Sequence, residues 1–475
     1  MKQYAVLLAL AGCLSSCMLG PKTDLPETSL IDRYNEQKDL SIALTPIEIN
    51  WWKQFEDDIL DDLIAKALDR NFDLQLAKEK VNELRAQYRM ESGALWPSLN
   101  VFGSALRLKK PQSVFGTPIL GDPYQSLFVA GFDATWELDF FGKNRSARRA
   151  AYFDVLAQEE DVHSTQITVI AEVARYYINI RALQERMFAL ELKIQTQKDV
   201  LSLANDLIKS GLTDEIVVSN EKALLAQDES LLPELHQQYQ QAVYQLTYLL
   251  GKKPGEITAM IKQRRPVPQA EGRIPLGLPS DLLRQRPDIR LAEQKYYASC
   301  LRIGQAKADL FPSISLTGAW AGASDKVGNV FDKASQLWLV WPTINWNLFQ
   351  GWQTLANINV KNSKQKQALI TYEQAIAQAL TDVEQALVAY VDENKTLIDL
   401  QKQVFYKQAV CDLNDDLLLA GLNSKKEGLV AFIDYYTAQD SLFQSKQRFM
   451  SDLIAVYKAL GGGWGKPVAE SSTIQ

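Results

Sequence analysis

Histidine is almost missing from this chain of 475 residues, which has two, His163 and His236, and only four cysteines. They form no Cys/His cluster at metal-ligand spacing, and no metal site is expected. Both histidines are expected on helix faces without a ligand role. A phosphate-cradling glycine loop is absent, and so is a Gly-x-Ser-x-Gly elbow. The Gly461-Gly462-Gly463 run reads as a helix stop instead. The expectation is a chain that is not an enzyme and holds no cofactor. Acids outnumber bases, 57 to 51, and no basic patch is present, which excludes nucleic acid as a partner. Beyond the N-terminus there is no apolar run of about 18 residues, so no helix is expected to cross a membrane. Any entry into a bilayer must use a lipid anchor, β-strands, or both.

Glycine and proline are absent between residues 143 and 210. That leaves about 100 Å of permitted helix. Apolar residues recur every seventh place at Val173, Ile180, Met187, Ile194, Leu201 and Ile208. A second row holds Tyr176, Leu183 and Leu190, continued by Gln197 and Ala204. This is a heptad seam, narrower than the stripe of an ordinary surface helix. Gly211 breaks it, and a seam resumes at Val218, Leu225, Leu232, Tyr239 and Leu246. The pattern predicts two helices folded back at Gly211 as an antiparallel hairpin, in an elongated object.

The N-terminus has one early lysine, Lys2, then a short apolar run, too short to span a bilayer. Leu14-Ser15-Ser16-Cys17 resembles a bacterial lipobox, and Leu10-Ala11-Gly12-Cys13 resembles one even more closely. Cys17 is the expected lipidation site, with Cys13 as the alternative, because cutting before Cys13 leaves an unusually short signal. Residues 1–16 are then a lipoprotein signal peptide. Cys300 and Cys411 remain, far apart in helical patterns, and are expected as free, buried thiols.

Residues 17–50 form a proline-punctuated, extended segment carrying the lipid. A first repeat is expected over 51–251. It begins with helix from Trp51 to Met90, interrupted at Asn71. Pro97 ends the helix, and period two follows. Strands are expected at about 99–108 and 127–138, the second with Phe128, Ala130, Phe132, Ala134, Trp136 and Leu138 on one face. A Pro-rich linker follows at 252–280, then a second repeat at 281–464 and a flexible tail at 465–475. The second repeat has strands at about 313–321 and 336–348, a polar loop at 321–334 between them, and a helical hairpin turning at about 421–425. Pro342 falls inside the last strand and suggests a bulge or a strand end. Trp136 and Trp346, Gly211 and Gly421, and Gly251 and Gly461 are each 210 residues apart. Three landmarks at one offset mark an internal duplication. Each half reads helix, strand, strand, very long helix, returning helix. Four strands cannot close a barrel, and free edges are not tolerated in lipid. If the strands lie in a membrane, several copies must pool them into one ring.

Certain motifs, in this order and spacing, resemble the outer-membrane efflux proteins of the TolC type, in the lipoprotein branch related to NodT and OprM. They are Cys17-Met18-Leu19-Gly20-Pro21, Trp51-Trp52-Lys53-Gln54-Phe55, Leu95-Trp96-Pro97-Ser98 and Trp136-Glu137-Leu138-Asp139-Phe140-Phe141-Gly142. Arg286-Pro287-Asp288, Phe311-Pro312-Ser313 and Leu460-Gly461-Gly462-Gly463-Trp464 complete the set. The resemblance implies a mainly α fold with a membrane β-barrel contribution. Two tandem repeats build a homotrimer whose 12-stranded β-barrel continues as an α-helical barrel. It implies a lipid-anchored protein of the outer membrane, extending into the periplasm. There it meets a periplasmic adaptor protein and an inner-membrane pump of the resistance-nodulation-division class. The implied activity is passive passage of drugs or other small solutes to the exterior. Protein export of type I and a periplasmic coiled-coil scaffold are the alternatives.

The family's hairpin apex reads Gly-x-x-Ser-x-x-Asp-x-Leu-x-Ala. Gly421, Ser424, Glu427, Leu429 and Ala431 match, with glutamate in place of aspartate. In the first repeat Gly211 matches, but Asp214 and Val217 replace the serine and the acid. The resemblance therefore puts Glu427 forward as a pore-constriction residue, with Asp415 and Asp416 as further candidates. Gly211, Gly421 and Ser424 are the candidate adaptor contacts. The plain alternative for all of the acids is a solvated helix face.

Overall fold

The structure is a computed structural model that describes residues 20, 25, 34, 49–109, 113–114, 117–118, 124–270 and 279–465. The chain divides into two compact units. One takes Lys80–Gln158 and Leu291–Glu373 with the first residues of the chain. The other takes Thr28–Glu79, Glu159–Arg290 and Gln374–Gln475.

The second unit begins with a single turn of 3-10 helix at Trp51–Phe55, followed by helix α1, Asp58–Arg70. Between them Glu56 adopts a left-handed backbone, φ 49°. Asp57 starts α1 by accepting from the backbone N–H of Ile59 at 2.9 Å and of Leu60 at 3.1 Å. Leu60, Leu63, Ile64 and Ala67 recur at i, i+3, i+4 and i+7 and are all buried. Each of the three larger ones contributes about 1.5–3 kcal/mol of burial. Asn71 separates α1 from α2, Phe72–Gly93. The helix expected over 51–90 is thus three pieces, since the left-handed Glu56 and the extended Asn71 each end one.

Four antiparallel strands lie in the first unit: β1, Ser98–Lys109; β2, Tyr124–Leu138; β3, Ser313–Ser324; and β4, Gln336–Asn345. Their order in the sheet is their order in the chain. A two-residue ribbon pairs Ser113–Val114 with Thr117–Pro118 in the loop between β1 and β2. β3 runs three residues past its expected end, which shortens the loop before β4. Pro342 makes neither bulge nor end: it pairs with Leu316 inside an unbroken register from Ser313↔Asn345 to Gly322↔Gln336. Among the described residues only one side of β4 is paired, so alternate N–H groups point away from β3 and a proline is accommodated.

Within this unit each repeat makes the same internal contacts, and two further contacts join the repeats. The indole N–H of Trp136 donates to the carbonyl of Leu95 at 3.0 Å, and that of Trp346 to the carbonyl of Leu310 at 3.1 Å. Ser98 Oγ donates to the carbonyl of Thr135, and Ser313 Oγ to that of Asn345. Phe141 stacks on Phe311 at 4.7 Å, and Lys143 pairs with Asp309 at 2.7 Å.

Two long helices carry the hairpins: α3, Lys143–Lys209, returning as α4, Glu215–Leu249, and α8, Gln353–Leu419, returning as α9, Lys425–Ala459. The seam residues Val173, Ile180, Leu183, Leu190 and Ile194 are buried. Around residues 167–184, however, α3 is buried on nearly every side, beyond what a two-helix seam requires. Part of the cover is the stretch read as a linker. It contains a short helix α5, Thr258–Ile261, and buries Ile257, Ile261 and Val267. Arg181, fully buried, donates to the carbonyls of Ile261 and Gln263, and Gln184 donates to that of Ile261. In its described part the segment is docked through its backbone, which proline content alone does not reveal. The second repeat opens with α6, Leu282–Gln285, and α7, Pro287–Ala308.

The WWKQF motif fills the same unit. Trp51 lies nearly parallel to Tyr457 at 5.0 Å, and Tyr457 donates its hydroxyl to Gln54 at 2.8 Å. At the chain's end Trp464 stacks on His163 at 4.5 Å and donates its N–H to the carbonyl of Gln285. His163 also contacts Glu160 at 3.2 Å. Cys300 and Cys411 are both buried and unpaired, and burial pushes both thiols up.

Candidate functional site

The first functional surface is the sheet. Directly opposed residues of an antiparallel pair share a face, so the register sorts every side chain. Leu99 and Val101 join Ala134 and Phe132 across β1 and β2. Phe132, Trp136 and Leu138 join Trp320, Leu316 and Ile314 on β3. These continue to Trp338, Pro342 and Ile344 on β4. The result is one apolar face across all four strands, interrupted by polar and charged residues only at the loop end. Much of it is open: Trp338 is 74% exposed, Ile344 68% and Val101 85%. Phe132 and Trp320 stack across the strand pair at 5.4 Å. The opposite face is mixed: Asn100, Asp133, Thr135, Glu137, Ser315 and Thr317 lie toward the helix end, Phe102, Leu106, Val129, Leu339 and Trp341 share it, and Asn100 donates to Asp133 at 3.1 Å. The outer sides of β1 and β4 have no partner strand among the described residues. Among the described residues no helix is long and apolar enough to cross a membrane. The sheet has what a barrel wall needs: an apolar side, an opposite side that carries both acids of the strands, and two open edges.

The second surface comprises the hairpin apices, both in the second unit. Gly211 and Gly421 take left-handed backbones, φ 73° and 70°. Behind each, the next N–H reaches back to close the helix: Leu212 to the carbonyl of Leu207, and Leu422 to that of Leu417, both at 2.9 Å. The returning helices start differently. Asp214 alone caps α4, accepting from the N–H of Val217 at 3.1 Å. Ser424 and Glu427 make a reciprocal pair on α9. Ser424 Oγ accepts from the Glu427 N–H at 3.3 Å, and the Glu427 carboxylate accepts from the Ser424 N–H at 3.3 Å. Glu427 is exposed, so its carboxylate caps the helix from the solvent side. Asp415 and Asp416 are exposed on the last turns of α8, and neither carboxylate has a partner among the described residues.

The residue that joins the two apices was not legible in the sequence motif. Glu221 is buried and accepts from Gln197 at 2.9 Å, while its other oxygen pairs with Lys426 at 2.9 Å. Lys426 belongs to the first turn of α9, so the second apex is tied to the first hairpin. Asp228, one heptad later, pairs with Lys193 at 2.8 Å. Glu221 and Asp228 are in phase with the buried Leu235 and Ala242. Two acids at heptad spacing with apolar residues are the signal that would have found them: polar layers within a coiled-coil seam fix register. Farther along, Arg186 holds Asp440 with two bonds, at 2.7 and 3.3 Å.

An apolar stripe also remains open on α8. Tyr406, Val410, Leu413 and Leu417 stand at i, i+4, i+7 and i+11, and all are exposed. That is a heptad seam without a partner helix. Cys13 and Cys17 lie outside the described residues. Among the described residues no cluster of three His, Cys, Asp or Glu side chains could hold a metal ion.

The family model described as outer membrane efflux protein matches residues 63–252 and 278–462. The chain is 29% identical to the toluene efflux pump outer membrane protein TtgF of Pseudomonas putida, over the full length of both. It is 28% identical to the cation efflux system protein CusC of Escherichia coli, covering 97% of this chain and 98% of that protein. Among solved structures, the outer-membrane channel OprN matches with a TM-score of 0.86 at 28% identity, covering 94% of this chain and all of OprN.

Proposed function

The chain belongs to the outer membrane efflux protein family, and from that premise we propose that it is the outer-membrane channel of a tripartite efflux system. It gives passive passage to small toxic solutes. The observation that carries this reading is the four-stranded sheet with one apolar face and two open edges. A lone protomer in lipid would leave two rows of unpaired backbone groups. Copies of the chain joined edge to edge remove them, and three copies make a barrel of about twelve strands. The open heptad stripe on α8 gives the helices of those copies a second contact. The tube so formed lies in the outer membrane and extends into the periplasm, where a periplasmic adaptor and an inner-membrane pump engage it. Cys17 is the lipidated residue in this reading, supported by the lipobox around it.

Relatives are named for toluene and for cations, so family membership leaves the cargo open. Deleting the gene should raise sensitivity to solvents, dyes, drugs or metal ions. Unchanged sensitivity with loss of a secreted protein would move the channel to protein export. At the apex, Glu427 is the candidate carboxylate of the constriction. Glu427→Gln retains an acceptor for the reciprocal cap and removes only the charge, and an altered single-channel conductance is expected. Identical conductance would leave Glu427 with the cap alone.

A further inference from the structure

All four strands join a helix at one end, and both strand-connecting loops lie at the other. On the apolar face defined by the register, the only charged side chains of the four strands are Arg107 and Lys109. Both are at the loop end and both are exposed. Lys109 is directly opposite Tyr124, and Arg107 is opposite Ser126. Both cations lie over the Tyr124 ring, at 5.6 and 6.0 Å from its centre. Neither has an acid partner among the described residues. The acids of the strands, Asp133 and Glu137, are on the opposite face.

A charge on the lipid side of a barrel is tolerated at the membrane interface and strongly disfavoured at mid-depth. The spacing puts these two at the interface. Ten residues of β2 separate Trp136, the aromatic residue at the helix end, from Ser126, beside Arg107. At about 3.3 Å per residue and a strand tilt of about 40°, that is about 25 Å, the height of the apolar band of such barrels. Trp136 and Tyr124 then mark the two rims, and the cation pair sits at the outer rim. We infer that Arg107 and Lys109, with Tyr124 as their platform, bind the phosphate groups of a phosphorylated glycolipid of the outer leaflet. Arg supplies a planar, two-pronged grip and Lys a point charge, a pairing suited to phosphate. The lipid's acyl chains then lie against Phe128, Phe132 and Trp320 below. This inference rests on reading the sheet as a membrane barrel wall.

The test titrates the detergent-solubilised full-length protein with a bis-phosphorylated diglucosamine lipid and with its dephosphorylated form, counting bound lipids by native mass spectrometry. Arg107→Gln/Lys109→Gln should weaken binding of the phosphorylated lipid by about tenfold or more. Lys326→Gln/Lys333→Gln, which removes two cations of the loop between β3 and β4, should leave it unchanged. The dephosphorylated lipid should bind the native protein no better than the first variant, and excess inorganic phosphate should not displace the lipid. Equal binding by Arg107→Gln/Lys109→Gln, indifference to the lipid's phosphates, or displacement by inorganic phosphate would overturn the site. Extraction of each protein from outer membranes is checked alongside. Failure of the native protein to insert would overturn the barrel reading itself, whereas normal insertion without phosphate preference overturns only the lipid site.

Discussion

The two hairpins share a backbone and differ inside. Leu183, Leu235 and Ala242 of the first are buried and apolar. The residues 210 places later are Glu393, Ser445 and Asp452. Ser445 donates to Glu393 at 2.5 Å, and burial with the nearby Glu393 charge pushes Asp452 up to about 6. The closing joints differ in the same sense. Gly251 and Gly461 both take left-handed backbones, and both pack against the carbonyl that ends a short helix, of Arg70 or of Gln285. Beside Gly251 a neutral amide holds the joint. Asn71 Nδ2 donates to the carbonyl of Leu249 at 2.9 Å while its Oδ1 accepts from Leu74. Beside Gly461 a buried cation holds it. Arg286 donates to the carbonyl of Ala459 at 3.0 Å and pairs with Asp288 at 2.6 Å and Asp382 at 3.0 Å. Duplication has kept the chain path, the helix stops and the carbonyl contacts. At the joint and at these three positions the first repeat is neutral and the second ionic, whereas nearer the apices the buried acids Glu221 and Asp228 of the first stand where the second has Ala431 and Ala438.

That contrast can be broken most severely at the joint glycines. A Cβ at residue 251 would meet the Arg70 oxygen at 2.4 Å, and one at 461 the Gln285 oxygen at 2.8 Å. Adding the left-handed backbone cost, Gly251→Ala should destabilise by about 3–4 kcal/mol and Gly461→Ala by somewhat less. Gly211→Ala and Gly421→Ala, with open space around the new methyl, should cost only about 1–2 kcal/mol. Denaturant midpoints of the helical circular-dichroism signal in detergent rank the four. The apex glycines proving as costly as the joint glycines would refute the packing argument.

Next in size, Arg286→Ala should cost about 2–3 kcal/mol, below the fully buried range because Asp288 and Asp382 are partly exposed. Asn71→Ala should cost about 1–2 kcal/mol, since it removes neutral hydrogen bonds. The reverse order in the same unfolding series would show that the ionic joint is no more demanding than the neutral one.

The pH response is smaller. The folded value of Asp452, about 6, lies above the ordinary 3.8. Between those values the folded protein holds a proton that the unfolded chain has released. Stability therefore falls as pH rises through that window and is flat above it. Asp452→Asn should remove the slope and stabilise the protein at neutral pH by about 1 kcal/mol, discounted for partial exposure. Ala242→Asp, the converse change, should bring such a slope into the first hairpin. A native protein with no slope between about pH 4 and 6 would exclude this account. Smallest are the apices: Ser424→Ala, which dismantles a reciprocal cap, should cost about 1 kcal/mol, and Asp214→Ala about half that.

Much of the architecture was legible from spacing alone. The heptad rows located the hairpins, the 210-residue offset located the duplication, and period two on β2 identified its apolar face. What escaped had a physical reason in each case. Arg181 interrupts an apolar stretch because it holds backbone carbonyls of a segment some 80 residues on, a contact that periodicity does not encode. Pro342 reads as a strand breaker unless the strand is known to be an edge. Glu221 and Lys426 meet only when the second hairpin folds against the first. The apex motif did direct attention to Ser424 and Glu427. Their reciprocal cap is a local signature that sequence carries, whereas any charge ring between copies is a property of several chains.

The central claim is that this sheet is a fraction of a wall completed by other copies of the chain. It is tested most directly by native mass spectrometry of the detergent-extracted protein, with an unheated and a heated gel run in parallel. The prediction is an assembly of three protomer masses whose mobility changes on heating, as a closed barrel requires. A single protomer mass under gentle extraction, or release into the aqueous phase once the acyl chains are removed, would contradict it.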